Sequence, residues 1–215
     1  MINKILECLK NNYPLKAIEV GEFAQFKAKG MKFNIEAYHA EGLGHVSVMR
    51  ANGFFGLMKM DTVIIVPLEK DLPLYSYDRI LVMGNDTLIV ELYDTMVNRS
   101  EFIRLNEIKE KFNYLTERDP GNHWYDSIKL PQSISKKVKK LNSHDLNVLA
   151  IEHFDAYINS ISVELTDKDM KNLFSSQYVN GLLEQGGPST DVFIKMFGFE
   201  KTRHLYNKIL FGIYK

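Results

Sequence analysis

Between Met31 and Asp94 the chain breaks into short runs of β-branched, aromatic and aliphatic residues: MKFNIEAYHAEG, HVSVMRA, FFGLMKMDTVIIVP, DRILVMG and TLIVELYD. Gly42-Leu43-Gly44, Asn52-Gly53 and Gly84-Asn85 separate them. Asn-Gly is a strong hairpin signal, and Met83-Gly84-Asn85-Asp86 reads as the short turn between DRILV and TLIVELY. Residues about 32–94 are therefore predicted to form an antiparallel meander of five or six strands. Elsewhere the apolar period lengthens to that of a helix. Residues 2–11 form an amphipathic pattern ended by Tyr13-Pro14. Ser100–Leu115 carries Phe102, Leu105, Ile108, Phe112 and Leu115 near 3.6-residue spacing. Leu146–Leu165 and Lys168–Gln185 read as two further helices, the second broken by Gly186-Gly187-Pro188, and Thr190–Lys215 as one or two more around Phe197-Gly198. Gly21–Lys32 is mixed. Strands in the first half and helices in the second predict one α+β domain over residues 1–215, with helices packed on the sheet.

Composition narrows the function classes. The 215 residues include 45% hydrophobic ones, enough for a sizeable core. Lys+Arg and Asp+Glu both number 27, which argues against bulk attraction to nucleic acid or an anionic membrane. No run approaches the roughly 18 apolar residues of a membrane span, and the N-terminus lacks the apolar core of a signal peptide, so the expected compartment is cytoplasmic. Cys8 is the only cysteine and shares a helical face with Ile5 and Leu9, which excludes an internal disulfide and a CxxC site. None of the six histidines stands in an HExxH or a close His/Cys pair, so no protein-bound metal is expected. GxGxxG, GxxxxGK[ST] and GxSxG are absent, removing the markers of dinucleotide, P-loop and serine-hydrolase sites.

What remains is a set of polar residues on apolar strands. Asp78 follows the run Leu72-Pro73-Leu74-Tyr75-Ser76-Tyr77. A carboxylate held among these side chains is hard to keep ionised, so its pKa should rise until it can carry and donate a proton near neutral pH. The plainer alternative is a strand-end Asp capping a turn. His39 with Glu41, and His45 with Ser47, are two apart and share a sheet face. Each pair is equally readable as a solvent-facing rung. Asp61-Thr62 precedes Val63-Ile64-Ile65-Val66, so one of the two must point inward and needs a partner. Glu91 is a further acid on a strand. Arg50 and Arg79 are basic candidates, Arg79 for a ligand carboxylate. Lys136, Lys137, Lys139 and Lys140 form a basic cluster, readable as a solvated face or as a dock for an acidic partner.

The stretch MDTVIIVPLEKDLPLYSYDRILVMGNDTLIVELYD resembles the central sheet of the ferredoxin-dependent bilin reductases, with their L-P-[LI]-[FLY]-x-x-D motif at Leu72–Asp78. FIKMFGFEKTRHLYNKILF resembles the family's C-terminal ending, and the similarity runs collinearly over about residues 30–215. It implies a three-layer α/β/α sandwich with a central antiparallel sheet. A linear tetrapyrrole such as biliverdin would lie between that sheet and the C-terminal helices. It further implies electrons delivered one at a time by ferredoxin (or flavodoxin), a bilin radical, protons from the protein, and no bound flavin, nicotinamide or metal. Asp78 falls on the family's proton-donating aspartate. A proton-relaying histidine of some members falls near Thr62, with Asp61 beside it. An H-x-E motif corresponds to His45-Val46-Ser47, without the acid. An aspartate at the start of the C-terminal helix falls on Gly187, with Asp191 the nearest acid. The expected catalytic set is therefore Asp78, Asp61, Thr62 and Asp191. His45, Ser47, Arg79, Tyr77 and Arg50 are expected to bind substrate. A non-catalytic tetrapyrrole carrier and a reductase of another open-chain tetrapyrrole are the alternatives on the same fold.

Overall fold

A computed structural model describes residues 1–162, 164–187 and 189–213. Its centre is one antiparallel sheet of eight strands: β1 (Leu15–Ile18), β2 (Gln25–Ala28), β3 (Met31–Ala40), β4 (Gly44–Gly53), β5 (Met58–Val66), β6 (Leu74–Val82), β7 (Asn85–Tyr93) and β8 (Ile134–Lys139). The order is β1-β3-β4-β5-β6-β7-β8. β2 pairs with the start of β3 and β1 with its end, so the two short strands share one edge. The predicted meander is β3–β7. Met83 and Gly84 alone join β6 to β7, both at positive φ, which is the two-residue turn that suits the right-handed twist of the flanking strands.

Helices cover both faces, which is why Val63–Val66 is buried throughout rather than alternating. On one face α1 (Ile2–Asn12), α2 (Ile103–Lys111) and α3 (Ser143–Ile158) pack Leu9, Leu105 and Leu146 against Val46, Val63 and Leu88. On the other, α4 (Lys168–Glu184), α5 (Thr190–Phe197), α6 (Phe199–His204) and a π-helical turn (Leu205–Leu210) pack Val179, Phe193 and Leu205 in one core with Phe33, Met49 and Val66. The molecule is thus the expected three-layer α/β/α sandwich.

Three elements depart from the sequence pattern. α2 ends at Lys111, because Thr116 and Arg118 turn back to exchange backbone hydrogen bonds with β8. α3 ends at Ile158, where Asn159 and Ser160 side chains take the carbonyls of Asp155 and Ala156. β8 lies in the lysine cluster, and lysines are characteristic of edge strands. Lys136 is not part of a solvated face: its ammonium is buried, donating to the Leu115 carbonyl at 3.0 Å and to Glu117 at 2.6 Å. The break at Gly186-Gly187-Pro188 includes Pro188, which lies outside the described residues. Among the described residues no helix is long and apolar enough to cross a membrane.

Candidate functional site

Side chains of successive strand residues point to opposite faces. On the α4–α6 side this parity presents Met49 (β4), Thr62 and Ile64 (β5), Ser76 and Asp78 (β6), and Glu91 and Tyr93 (β7) to a cavity of about 300 Å³. Tyr178 and Leu182 of α4, Phe193 of α5, and Tyr206, Leu210 and Phe211 of the C-terminal turn form its roof. Arg118, Pro120, His123 and Tyr125 supply a wall from the loop between α2 and β8. Apolar walls with a few convergent polar groups are the usual build of a small-molecule site.

Asp78 sits in the middle of the floor. Thr62 stands directly across the rung and donates a 2.5 Å hydrogen bond to its Oδ1. Burial pushes the Asp78 carboxyl up to about 6, Thr62 pulls it down by favouring the anion, and the Glu91 charge on the next strand pushes it up again. Burial dominates, so the group titrates about a unit below neutral pH, where it is mostly ionised yet keeps a protonated fraction that can act as an acid. Glu91 accepts a 2.6 Å hydrogen bond from Tyr93 and has Lys129 Nζ at 3.8 Å. Burial raises the phenols of Tyr93, Tyr125 and Tyr178 well above their ordinary range, and that of Tyr206 to about 12, so all four remain neutral. Tyr206 pairs with Thr190 at 2.9 Å.

Of the strand residues singled out in the sequence, Thr62, Asp78 and Glu91 line this cavity together. Asp61, Tyr77 and Arg79 have the opposite strand parity and lie under α1–α3. Arg79 is not available to a ligand: buried, it holds Asp86 through Nε at 2.5 Å and Nη2 at 2.6 Å. Arg50 is likewise spent on that side, on Glu36 at 2.5 Å and Asn3 at 3.2 Å. Asp191 is exposed and outside the cavity wall.

His45 and Ser47 share the cavity's face but do not reach it, because the C-terminal turn covers them. His45 Nε2 donates to the Ile209 carbonyl at 2.8 Å and Ser47 Oγ to the Leu210 carbonyl at 2.7 Å. Carbonyls at a helix C-terminus lack intrahelical partners, and these two side chains satisfy them. Burial lowers the His45 imidazole to about 4, so it stays neutral. Both residues therefore hold the roof down.

Glu91, an acid on an apolar strand, and Arg118, a basic candidate in the sequence, also line the cavity, together with His123 and Tyr125, to which the sequence pattern assigns nothing. The place of Glu91 was detectable in principle: the two-residue turn sets Ser76 opposite Glu91, which fixes it on the Asp78 face. His123 and Tyr125 carry no local signal. Among the described residues no three His, Cys, Asp or Glu side chains converge as a metal site.

No protein family's sequence profile matches the chain, and no curated protein matches it in sequence. Among solved structures, the crystal structure of phytochromobilin synthase from tomato in complex with biliverdin superposes with a TM-score of 0.75. The match covers 98% of this chain and 81% of that one, at 13% sequence identity. What the two chains share at that identity is the fold, a large antiparallel sheet flanked by helices on both faces.

Proposed function

We propose that the protein binds a linear tetrapyrrole such as biliverdin in this cavity and reduces it with electrons from ferredoxin. The observation that carries the reading is Asp78: one carboxyl on the floor of an apolar cavity, tied to Thr62 and titrating near neutrality. The likeness of fold to a protein solved with biliverdin supports the ligand class, as does the resemblance of Leu72–Asp78 to the bilin reductase motif. One electron makes the bilin a radical anion, and Asp78 donates a proton to it. A second electron and proton complete the saturation of one double bond. Glu91, the other carboxyl of the cavity, is placed to accept pyrrole N–H groups and to keep the proton on Asp78 between turnovers. Arg118, at the cavity wall, takes the place of Arg79 and Arg50 as partner for a ligand carboxylate. The reading needs no flavin, nicotinamide or metal held by the protein. A cavity of about 300 Å³ is at the small end of the roughly 300–1,000 Å³ range for ligand sites. A tetrapyrrole therefore enters by displacing roof side chains or by projecting past the wall.

One observation favours the carrier reading: Asp191 is exposed, so no acid reaches the cavity from α5 among the described residues. An anaerobic absorbance titration with biliverdin, followed by reduced ferredoxin, separates the two. A shifted bilin spectrum that then loses its long-wavelength band supports the reductase. A shifted spectrum that survives reduction supports the carrier, and no shift removes the tetrapyrrole from both.

A further inference from the structure

Six cross-strand pairings end at the same level of the sheet. Ala28, Met31, Gly53, Met58, Val82, Asn85 and Lys139 form one continuous row across β2 to β8. At about 4.8 Å per strand that row is roughly 29 Å wide. The turns that project beyond it carry large apolar side chains in solvent. Phe55 is fully exposed, Leu57 is 67% exposed, Met83 83% and Leu141 97%. Leu141 belongs to the same row because Lys140 N–H donates to the Gly84 carbonyl at 2.9 Å.

Folding does not account for these residues. Phe54 and Phe55 are both at positive φ, a conformation costly for bulky side chains and natural to Gly or Asn. Neither ring belongs to a core cluster. Scattered single apolar residues need no explanation, whereas a contiguous exposed set does. Charge is segregated in the same way. Lys27, Lys29, Lys32, Lys59, Lys139 and Lys140 are all exposed around these turns, and residues 27–32, 52–59, 81–85 and 137–144 contain no Asp or Glu. The opposite end of the sheet is mixed, with Glu41, Glu69 and Asp94 beside Lys16 and Lys70. A formal net charge of zero thus conceals a molecule with one basic, apolar-tipped end.

We propose that this end of the sheet docks on an anionic lipid surface, with Phe55, Leu57 and Met83 entering the interface and the lysines lying at headgroup level. A bilayer fits better than a protein partner because Phe55, Leu57, Met83 and Leu141 stand on separate protruding tips, and the hollow between residues 27–32 and 52–56 is wide open to solvent and does not enclose them. A lipid interface has no shape of its own to match, and interfacial anchors combine Phe or Leu with Lys in this manner. The inference does not depend on the chemistry assigned to Asp78.

The test is co-sedimentation of the full chain with phosphatidylcholine vesicles, with and without phosphatidylserine. Partitioning should require phosphatidylserine and be released by high salt. It should fall about tenfold in Phe55→Ser or Leu57→Ser and about fivefold in Lys29→Gln or Lys59→Gln. All four positions are exposed, and unchanged far-ultraviolet circular dichroism confirms that each variant is folded. Absence of binding to phosphatidylserine vesicles overturns the proposal, as does binding that Phe55→Ser leaves unchanged. Concentration-dependent self-association lost in Phe55→Ser, without vesicle binding, would assign the surface to a second copy. Capture of poly-glutamate but not vesicles would assign it to an acidic protein.

Discussion

Thr62 and Asp78 face one another across a rung of β5 and β6, and the Thr62 hydroxyl donates 2.5 Å to the Asp78 carboxyl on the floor of the cavity. The contact balances two opposed effects. Burial favours the neutral acid, while a donor aimed at the carboxyl favours the anion. Burial is the larger, and the carboxyl moves up to about 6.

That shift makes Asp78 costly to the fold at neutral pH. The unfolded chain releases this proton near 3.9 and the folded chain near 6. The folded state therefore holds more protons between those values. The stability this group contributes is complete below about pH 4 and is lost as pH rises through 6. Two units correspond to roughly 3 kcal/mol, and the partial exposure of Asp78 to the cavity reduces this to about 2 kcal/mol. Asp78→Asn retains an acceptor for Thr62 and cannot ionise. It should be about 2 kcal/mol more stable than the native protein at pH 8 and no more stable at pH 4. It should also bind biliverdin while turnover falls about 10²–10⁴-fold. Thermal melts at the two pH values check the first half. An Asn variant less stable at pH 8 would mean that the carboxyl is not desolvated.

Arg79 provides a contrast one residue away. Its guanidinium is buried with Asp86, whose carboxylate also accepts from Ser143 at the start of α3. Removing one partner of a buried pair strands the other charge and costs about 3–5 kcal/mol. Asp86→Leu should therefore lower stability by that amount in chemical denaturation. Biliverdin affinity of the protein still folded should stay within about twofold, since the pair lies on the far side of the sheet. A selective loss of affinity in a stable variant would return Arg79 to the site.

The contrast between Asp78 and Arg79 shows what the sequence could and could not convey. The meander, its hairpin turns and the C-terminal helices follow from local periodicity and Gly/Asn placement. The apolar run before Asp78 marked a carboxyl that would be desolvated. Strand parity says that Tyr77 and Arg79 face away from Asp78, but not which face carries the cavity. That is decided by helices 60 to 130 residues further on, over which no local pattern extends. His45 and Ser47 illustrate the same limit: their partners are Ile209 and Leu210, at separations of 164 and 163 residues. Lys136 misled for a different reason. Three exposed lysines surround it, and only the return of Glu117 to β8 explains its burial.

Glu91 and Arg118 should separate by the quantity they change. Glu91 raises the Asp78 carboxyl through its charge. Glu91→Gln removes that charge, so the alkaline limb of the turnover profile, where Asp78 loses its proton, should move to lower pH. Arg118→Gln should leave that limb in place and weaken biliverdin binding about tenfold, the cost of one charge-assisted hydrogen bond. Turnover rates and dissociation constants across pH 5–8 distinguish them. A Glu91→Gln profile coincident with that of the native protein would deny the coupling.

His45 makes the roof sensitive to acid in the opposite sense to Asp78. It is buried, its Nε2–H is committed to the Ile209 carbonyl, and burial holds the imidazole down at about 4 against about 6.5 in the unfolded chain. A depressed base contributes stability that is complete above 6.5 and lost as pH falls through 4, here roughly 3 kcal/mol. His153, buried against the Gln132 carbonyl and also near 4, adds a similar loss. The two together outweigh the gain from protonating Asp78, so the protein should lose stability between pH 6.5 and 4. His45→Gln retains a donor for Ile209 and cannot titrate, and with the Asp78 gain still opposing His153 its stability should fall only about a quarter as steeply over that window. Gly212 ties the same contact to the backbone. It is at φ +62°, and a Cβ there would stand 2.3 Å from the His45 ring. Gly212→Ala should therefore loosen the roof at every pH, whereas acid loosens it only in the native protein's titration range. Hydrogen exchange at residues 209–213, followed at pH 7 and pH 5 in the native protein and both variants, reads this difference directly. Equal protection of those amides at both pH values in the native protein would show that His45 does not control the roof.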